Sequence, residues 1–74
     1  MTLRRPKKRV RMQLRNDETL EGVLDGLTGG HYRLLTPTIV RVNQATREIE
    51  THAVDCLWLE VPKENVLFYE VKAL

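Results

Sequence analysis

The length, composition and charge of the chain restrict its fold and its environment. The chain has 74 residues with 12 basic and 10 acidic side chains, which gives a net charge of +2. Its one cysteine, Cys56, excludes an intrachain disulfide, and no apolar run approaches the ~20 residues of a membrane-spanning helix. We therefore expect a single small cytoplasmic domain. A core of this size is marginal, so we also expect a partner subunit to stabilise it.

The basic residues are concentrated at the N-terminus. Seven of the twelve lie in the first fifteen residues, and all ten acidic residues follow them. We predict a basic, flexible arm over residues 1–9 and a folded domain over residues 10–74. Such an arm can bind the phosphates of a nucleic acid through counterion release, or it can be a solvated segment that binds nothing. The candidate contacts in the arm are Arg4, Arg5, Lys7, Lys8 and Arg9.

The segment from Val10 to Leu27 predicts a β-hairpin with a bent second strand. Apolar and polar residues alternate from Val10 to Arg15, which is typical of a strand with one buried face. Asn16 and Asp17 can adopt the left-handed backbone that tight turns require. Gly22 lies within the second strand, where its missing side chain permits a bend or a close approach of another backbone. A strand bent at a glycine is one way to close a small barrel.

Further β-rich segments follow this hairpin. His31–Leu35 predicts a third strand, and Thr38–Val42 continues the same composition. Pro37 between them indicates an edge, a bulge or a strand break, because proline cannot donate a hydrogen bond to a neighbouring strand. The polar segment Asn43–Glu48 predicts a turn.

The segment Ile49–Leu59 permits two interpretations. Apolar residues spaced by four between Ala45 and Leu57 would line one face of a helix. Its β-branched residues, and apolar residues on both faces, indicate instead a strand that is covered on both sides. We favour the strand. A turn over Val61–Asn65 and a last strand over Val66–Val71 complete the chain.

These segments together predict an all-β fold. Five short strands with intervening turns indicate a small, strongly bent antiparallel barrel of the SH3-like type. The strands Ile49–Leu59 and Val66–Val71 carry apolar residues on both faces. One face can fill the barrel, which leaves the other for a partner subunit. Trp58, Phe68 and Tyr69 are expected to be core residues or interface anchors.

Two short motifs resemble the Sm-like family, which includes Sm, archaeal Sm-like and Hfq proteins. Leu20–Gly26 is similar to the first Sm signature, a bulky residue followed by x-Gly-x-Leu-x-Gly, and Val61–Phe68 is similar to the second. The resemblance implies a ring of barrels in which the fourth and fifth strands of neighbours pair edge to edge. Here Ile49–Leu59 and Val66–Val71 would form those edges. The resemblance also implies that single-stranded RNA binds at the loops.

The loop residues that bind uridine in this family differ in this chain. The family's aspartate, stacking residue and asparagine correspond here to Thr28, His31 and Tyr32. Pro62 and Lys63 replace the Arg-Gly of the second signature. We predict that His31 and Tyr32 stack on bases and that Lys63 contacts a phosphate. The alternative is an exposed loop histidine beside a tyrosine that anchors the next strand.

Residues suited to catalysis or metal binding are scarce. Cys56 has no placed base and lies in the most apolar stretch, so we expect it to be a small buried hydrophobic residue. His52 and Cys56 would be only two ligands on a helix, whereas a zinc site needs three or four. Gly29 and Gly30 lack the Lys-Ser/Thr of a phosphate-binding loop. We therefore expect no enzymatic activity, no metal and no cofactor.

Two functional hypotheses follow from the sequence. The first is a homo-oligomeric ring that binds single-stranded RNA at its loops and basic arms. The second is a scaffold ring with no specific nucleic-acid ligand. The charge asymmetry favours the first hypothesis, and the altered uridine pocket favours the second.

Overall fold

The computed structural model describes residues 7–72, which form one antiparallel six-stranded sheet. The all-β prediction is confirmed. The strands are β1 (Lys8–Leu14), β2 (Thr19–Thr28), β3 (His31–Val42), β4 (Ile49–Ala53), β5 (Trp58–Pro62) and β6 (Val66–Lys72). A short 3₁₀ helix, Lys63–Asn65, links β5 to β6. Within residues 7–72 no helix is long and apolar enough to cross a membrane.

The prediction of five strands is wrong because Ile49–Leu59 contains β4 and only the start of a separate strand, β5, which continues through the first two residues of the predicted turn Val61–Asn65. In the sheet the strand order is β4-β3-β2-β1-β6, and β5 also pairs with β3. The long β3 pairs with β5 through its first half and with β4 through its second half. Both strands thus lie on the edge of β3 that β2 does not occupy, separated by the loop Val54–Leu57. The helical alternative for this segment does not form.

β2 and β3 approach each other closely at Gly22, where their pairing contains a bulge. Their register shifts between Glu21 and Val23, on either side of this glycine. A Cβ atom on Gly22 would lie 2.9 Å from the carbonyl oxygen of Leu35 and 3.5 Å from the Cα of Pro37. The predicted close backbone approach at Gly22 is confirmed, because no side chain fits between the two strands there.

Pro37 produces a bulge instead of ending the third strand. β3 runs unbroken from His31 to Val42, so the two predicted segments on either side of Pro37 are one strand. Thr36 has a φ of 44°, and the backbone N–H of Thr36 donates to the carbonyl of Leu57. The carbonyl of Pro37 accepts from the N–H of Val54 at 3.0 Å. The gap between β4 and β5 therefore lies opposite the bulge in β3.

The core of the described residues is small. Val10 and Met12, from alternate positions of β1, are fully buried, as the predicted period of two requires. Leu20, Leu34 and Val61 complete the buried apolar cluster. A core of this size leaves large apolar side chains at the surface. Exposed ones are Leu27, Val42, Ile49, Leu57, Trp58, Leu67, Phe68, Tyr69 and Val71.

The structure changes three of the predictions made from the sequence. Trp58 and Phe68 are about half exposed, with 47% and 56% of their surface accessible, so they are not core residues of the isolated chain. Cys56 is exposed, which contradicts the expectation of a buried residue, because it lies in the loop between β4 and β5. β1 begins at Lys8, so Lys8 and Arg9 of the predicted arm belong to the first strand.

Two edges of the sheet have no partner strand within residues 7–72. β6 pairs only with β1, and β4 and β5 pair only with β3. No ladder joins β5 to β6, so hydrogen bonds do not close the sheet. Unpaired edges present rows of free N–H and C=O groups that other chains can bind.

Candidate nucleic-acid interface

Three loops that are distant in sequence meet at the 3₁₀ helix. The backbone N–H of Arg15 donates to the carbonyl of Asn65 at 2.9 Å, and the N–H of Lys63 donates to the carbonyl of Gly30 at 2.8 Å. The Nε of Arg15 also donates to the carbonyl of Glu64 at 2.6 Å. We name this group of residues the loop cluster: Arg15, Gly29–His31 and Lys63–Asn65.

The strand ladders explain why these loops meet. In the β3–β5 ladder His31 lies opposite Pro62, so the turn before β3 reaches the 3₁₀ helix that follows β5. In the β1–β6 ladder Leu14 lies opposite Val66, so the residue after β1 reaches the other end of the same helix.

His31 is an exposed member of the loop cluster. Its Nδ1 lies 3.0 Å from the carbonyl oxygen of Gly29, which fixes the ring near the turn. Gly29 and Gly30 both have positive φ angles, 58° and 78°, which glycine adopts without strain. His31 lies opposite Pro62 in the β3–β5 ladder. The predicted neighbours His31 and Lys63 are therefore at the same end of the sheet.

Tyr32 lies on the other face of β3 from His31, because neighbouring residues of a strand point to opposite faces. Its ring is half-buried and contacts the ring of Tyr69 edge-on, with centroids 5.8 Å apart. It also packs against the apolar core. Tyr32 thus anchors its strand, and the structure does not bring it together with His31 and Lys63.

The basic residues at the start of β1 have acidic partners on β2. Lys7 lies 3.6 Å from Asp25, and Arg9 lies 4.0 Å from Glu21. Two nitrogens of Arg11 donate to one carboxylate oxygen of Glu21, at 3.0 and 3.2 Å. We name these five residues the β1–β2 charge ladder. Of the remaining predicted arm contacts, Lys8 is exposed on β1, whereas Arg4 and Arg5 lie outside the described residues.

The two cations of the loop cluster, Arg15 and Lys63, differ from those of the β1–β2 charge ladder in their partners. Within residues 7–72, no salt bridge involves Arg15 or Lys63. The one hydrogen bond of the Arg15 guanidinium goes to a backbone carbonyl, which leaves its charge uncompensated. Glu64 is the only acidic residue of the cluster. These two positive charges are consequently available to a phosphate group.

Arg15 did not enter the predicted site, although it belongs to the basic run. Its contact with Glu64 joins residues 49 positions apart, and no local pattern in the sequence indicates such a contact. His52, a candidate metal ligand, lies on β4 near Glu50, so the helical pair with Cys56 does not form. Within the described residues no group of three or more potential ligands can hold a metal ion.

One carboxylate at the far end of β3 has a shifted pKa. The amide of Asn43 donates to Glu50 at 2.8 Å, and this hydrogen bond is the main reason that the pKa of Glu50 lies below its ordinary value. The ring of His52, 3.5 Å from the same carboxylate, lowers it further. Glu50 and His52 are exposed and Asn43 is partly buried; all three lie in the β3–β4 hairpin, at the opposite end of β3 from the loop cluster.

Comparisons with known proteins found no match that would suggest a function. No protein-family model matches the sequence. A comparison with curated proteins finds no significant relative.

Proposed function

We propose that this chain is a single-stranded RNA-binding module that assembles into a homo-oligomeric Sm-like ring. The RNA binds at the loop cluster, and the basic residues before β1 add affinity that is independent of sequence. The chain is not an enzyme in this proposal, and it needs no cofactor.

The loop cluster is the observation that carries RNA binding. It combines two cations that lack acidic partners, Arg15 and Lys63, with the exposed imidazole of His31. Cations of this kind bind the phosphates of a single strand by releasing counterions. An imidazole ring beside them can stack on an unpaired base. Hydrogen bonds to the backbone hold the three loops together, so less order has to be gained on binding.

The two unpaired sheet edges support the ring. β6 presents Leu67, Phe68 and Val71, each more than half exposed, and the β4–β5 edge presents Leu57 and Trp58. Pairing of β6 with the β4–β5 edge of the next copy would cover the backbone groups of both edges and bring the apolar side chains of β6 to the interface. Such an interface joins two different surfaces, and repeated copies form a closed ring when the rotation between neighbours closes.

The binding test uses fluorescence anisotropy with labelled oligouridine and a mixed-sequence RNA at two salt concentrations. We expect binding that weakens as salt rises, and we expect Lys63→Gln to weaken it. The slope of log K against log salt is negative, and each phosphate contact that is lost should make it shallower by about 0.7. Arg47→Gln is the matched control, because it removes the same charge from the exposed β3–β4 turn. Absence of binding at low salt contradicts the proposal.

The ring is tested separately by light scattering at micromolar protein concentration. We expect a single species with a mass of several subunits. A mass of one subunit, 8.6 kDa, contradicts the ring. RNA binding by a monomer would retain the first half of the proposal and reject the second.

A scaffold ring without a nucleic-acid ligand is the second candidate. The β1–β2 charge ladder favours it, because Glu21 and Asp25 partly neutralise the basic residues on which nucleic-acid binding was predicted. The half-buried position of Tyr32 favours it as well. A ring by light scattering with no RNA affinity at low salt would select this candidate.

A further inference from the structure

Trp58, the only tryptophan of the chain, forms an unusual surface contact. Its ring is 47% exposed, although burial would stabilise so large an apolar group. The guanidinium carbon of Arg33 lies 5.2 Å from the ring centroid, within the range of a cation–π interaction. Arg33 also lies 3.6 Å from Glu60. The guanidinium of Arg33 therefore contacts both the indole ring and a carboxylate.

The ring lies on the same sheet face as part of the loop cluster. His31, Arg33 and Leu35 are alternate residues of β3 and share one face. In the β3–β5 ladder Leu35 lies opposite Trp58, and Arg33 lies opposite Glu60. His31 and Trp58 are thus separated by four residue positions along the ladder, about 13 Å. A single strand that leaves the loop cluster along this face meets the guanidinium first and the indole next.

We infer that Trp58 and Arg33 form a stacking platform for an unpaired base of the strand that the loop cluster binds. This inference rests on the proposed function and extends it to a second contact point. Every base has an aromatic face, so stacking on tryptophan tolerates different sequences. Arg33 adds a cation next to the stacked base and can contact the adjacent phosphate.

Glu60 sets the strength of this contact. Its carboxylate compensates the charge of Arg33 and repels a phosphate on the same face. Both side chains are about half exposed, at 46% and 54%, so solvent screens their attraction. Removal of the acidic charge should strengthen nucleic-acid binding, whereas a purely structural ion pair would make the same change neutral or unfavourable.

The platform stays accessible in the proposed ring. Edge pairing uses the backbone groups of β5, whereas its side chains stand roughly perpendicular to the sheet. A neighbouring β6 would lie beside Trp58 and would not cover its ring. If the indole instead packs against the next subunit, its removal will change assembly, and this difference makes the inference testable.

The experiment combines anisotropy with the intrinsic fluorescence of the single tryptophan, using a twelve-nucleotide oligouridine as the probe. A base stacked on Trp58 should quench its emission with the same titration midpoint that anisotropy gives. Trp58→Leu keeps an apolar side chain but removes the aromatic face, and should weaken binding by about 5- to 150-fold. Trp58→Phe keeps an aromatic face and should retain most of the affinity.

Two charge variants complete the test. Arg33→Gln should weaken binding more than Arg47→Gln, its matched control. Glu60→Gln should strengthen binding by about two- to fivefold, the range of one exposed charge pair. Light scattering of each variant reports whether the assembly is intact.

Two results would overturn the inference while leaving RNA binding intact. One is unchanged tryptophan emission and unchanged affinity of Trp58→Leu. The other is a Trp58→Leu variant that dissociates into single subunits, which would make Trp58 an interface anchor. If the unmodified protein shows no anisotropy change at low salt, the proposed function itself is wrong, and the platform is rejected with it.

Discussion

The β1–β2 charge ladder and the loop cluster both contain arginine, lysine and glutamate, but their positive charges are available to a ligand to different extents. In the ladder, Arg11 and Arg9 share the carboxylate of Glu21, of which only 10% of the side chain is exposed. In the loop cluster, Arg15 bonds a backbone carbonyl and keeps its charge free. The ladder thus contributes to folding, and the cluster presents charge to a ligand. A dense basic run in a sequence therefore overstates the charge that a ligand can reach.

The largest expected effect is a loss of stability, which should differ between Gly22 in β2 and Gly30 in the loop cluster. Gly22→Val places a side chain against the carbonyl of Leu35 and should lower the free energy of unfolding by about 1–3 kcal/mol. The same change at Gly30, in the loop cluster, meets no atom within 4 Å. Its positive φ strains any L side chain at a cost of about 1–2 kcal/mol, without the additional clash that Gly22→Val creates. Urea denaturation measures both. An unchanged midpoint for Gly22→Val would show that the strand can relax.

Substitution of Tyr32 and of its neighbour His31, at the start of β3, should have opposite effects on stability and on base preference. Tyr32→Ala removes the edge-on contact with Tyr69 and core packing, so it should lower stability by about 1–3 kcal/mol. His31→Ala should leave the melting temperature unchanged but weaken base preference in the anisotropy assay. If Tyr32→Ala is as stable as the parent and loses preference, the tyrosine contacts the base after all.

Glu21→Gln is expected to leave the arginines of the β1–β2 charge ladder without this acidic partner, so that their charges become available as that of Arg15 is in the loop cluster. It removes the charge-assisted hydrogen bonds from Arg11 and should cost about 1–2 kcal/mol of stability. It also frees Arg9 and Arg11, so the salt slope of RNA binding should steepen by about 0.7 for each arginine that gains a phosphate contact. Asp25→Asn, which frees only Lys7, is a milder comparison. A salt slope that does not change would mean that the ladder faces away from the RNA.

The smallest effect concerns Glu50, whose partner is a neutral amide and not an arginine. Its folded-state pKa lies below the ordinary 4.5, chiefly because Asn43 donates to it. A depressed carboxylate pKa contributes stability above the unfolded-state pKa, and this is lost as pH falls through the folded-state value. Asn43→Ala should raise the pKa of Glu50 in an NMR titration. His52→Ala should raise it as well, and an unchanged pKa of Glu50 in Asn43→Ala would contradict the assigned cause.

Local patterns in the sequence determined much of the fold. Alternation from Val10 to Leu14 required a strand with one buried face, and both Val10 and Met12 are fully buried. Asp17 takes the left-handed backbone, with a φ of 65°, that a turn of Asn and Asp favours. Gly22 marks the point where two backbones meet. The strand alternation and the turn depend on neighbours within a few positions, and the missing side chain of Gly22 is itself visible in the sequence.

Tertiary structure decided the features that join distant positions. The bulge at Thr36 and Pro37 interrupts the pairing of the strand opposite, which splits Ile49–Leu59 into two strands and exposes Cys56. The residues of Ile49–Leu59 could not indicate this break, because its cause lies in the neighbouring strand β3.

The candidate site depends on tertiary structure for the same reason. His31 and Lys63 were identified from the sequence, but Arg15 joined them only through contacts across 49 residues. Arg33 and Trp58 meet only because β3 pairs with β5. Whether a charge is free is likewise a property of its spatial neighbours: Glu21 neutralises arginines that precede it by ten or more positions. Sequence determines where charges and bends occur, and the fold determines which of them face each other, because Coulomb and packing energies depend on distance in space.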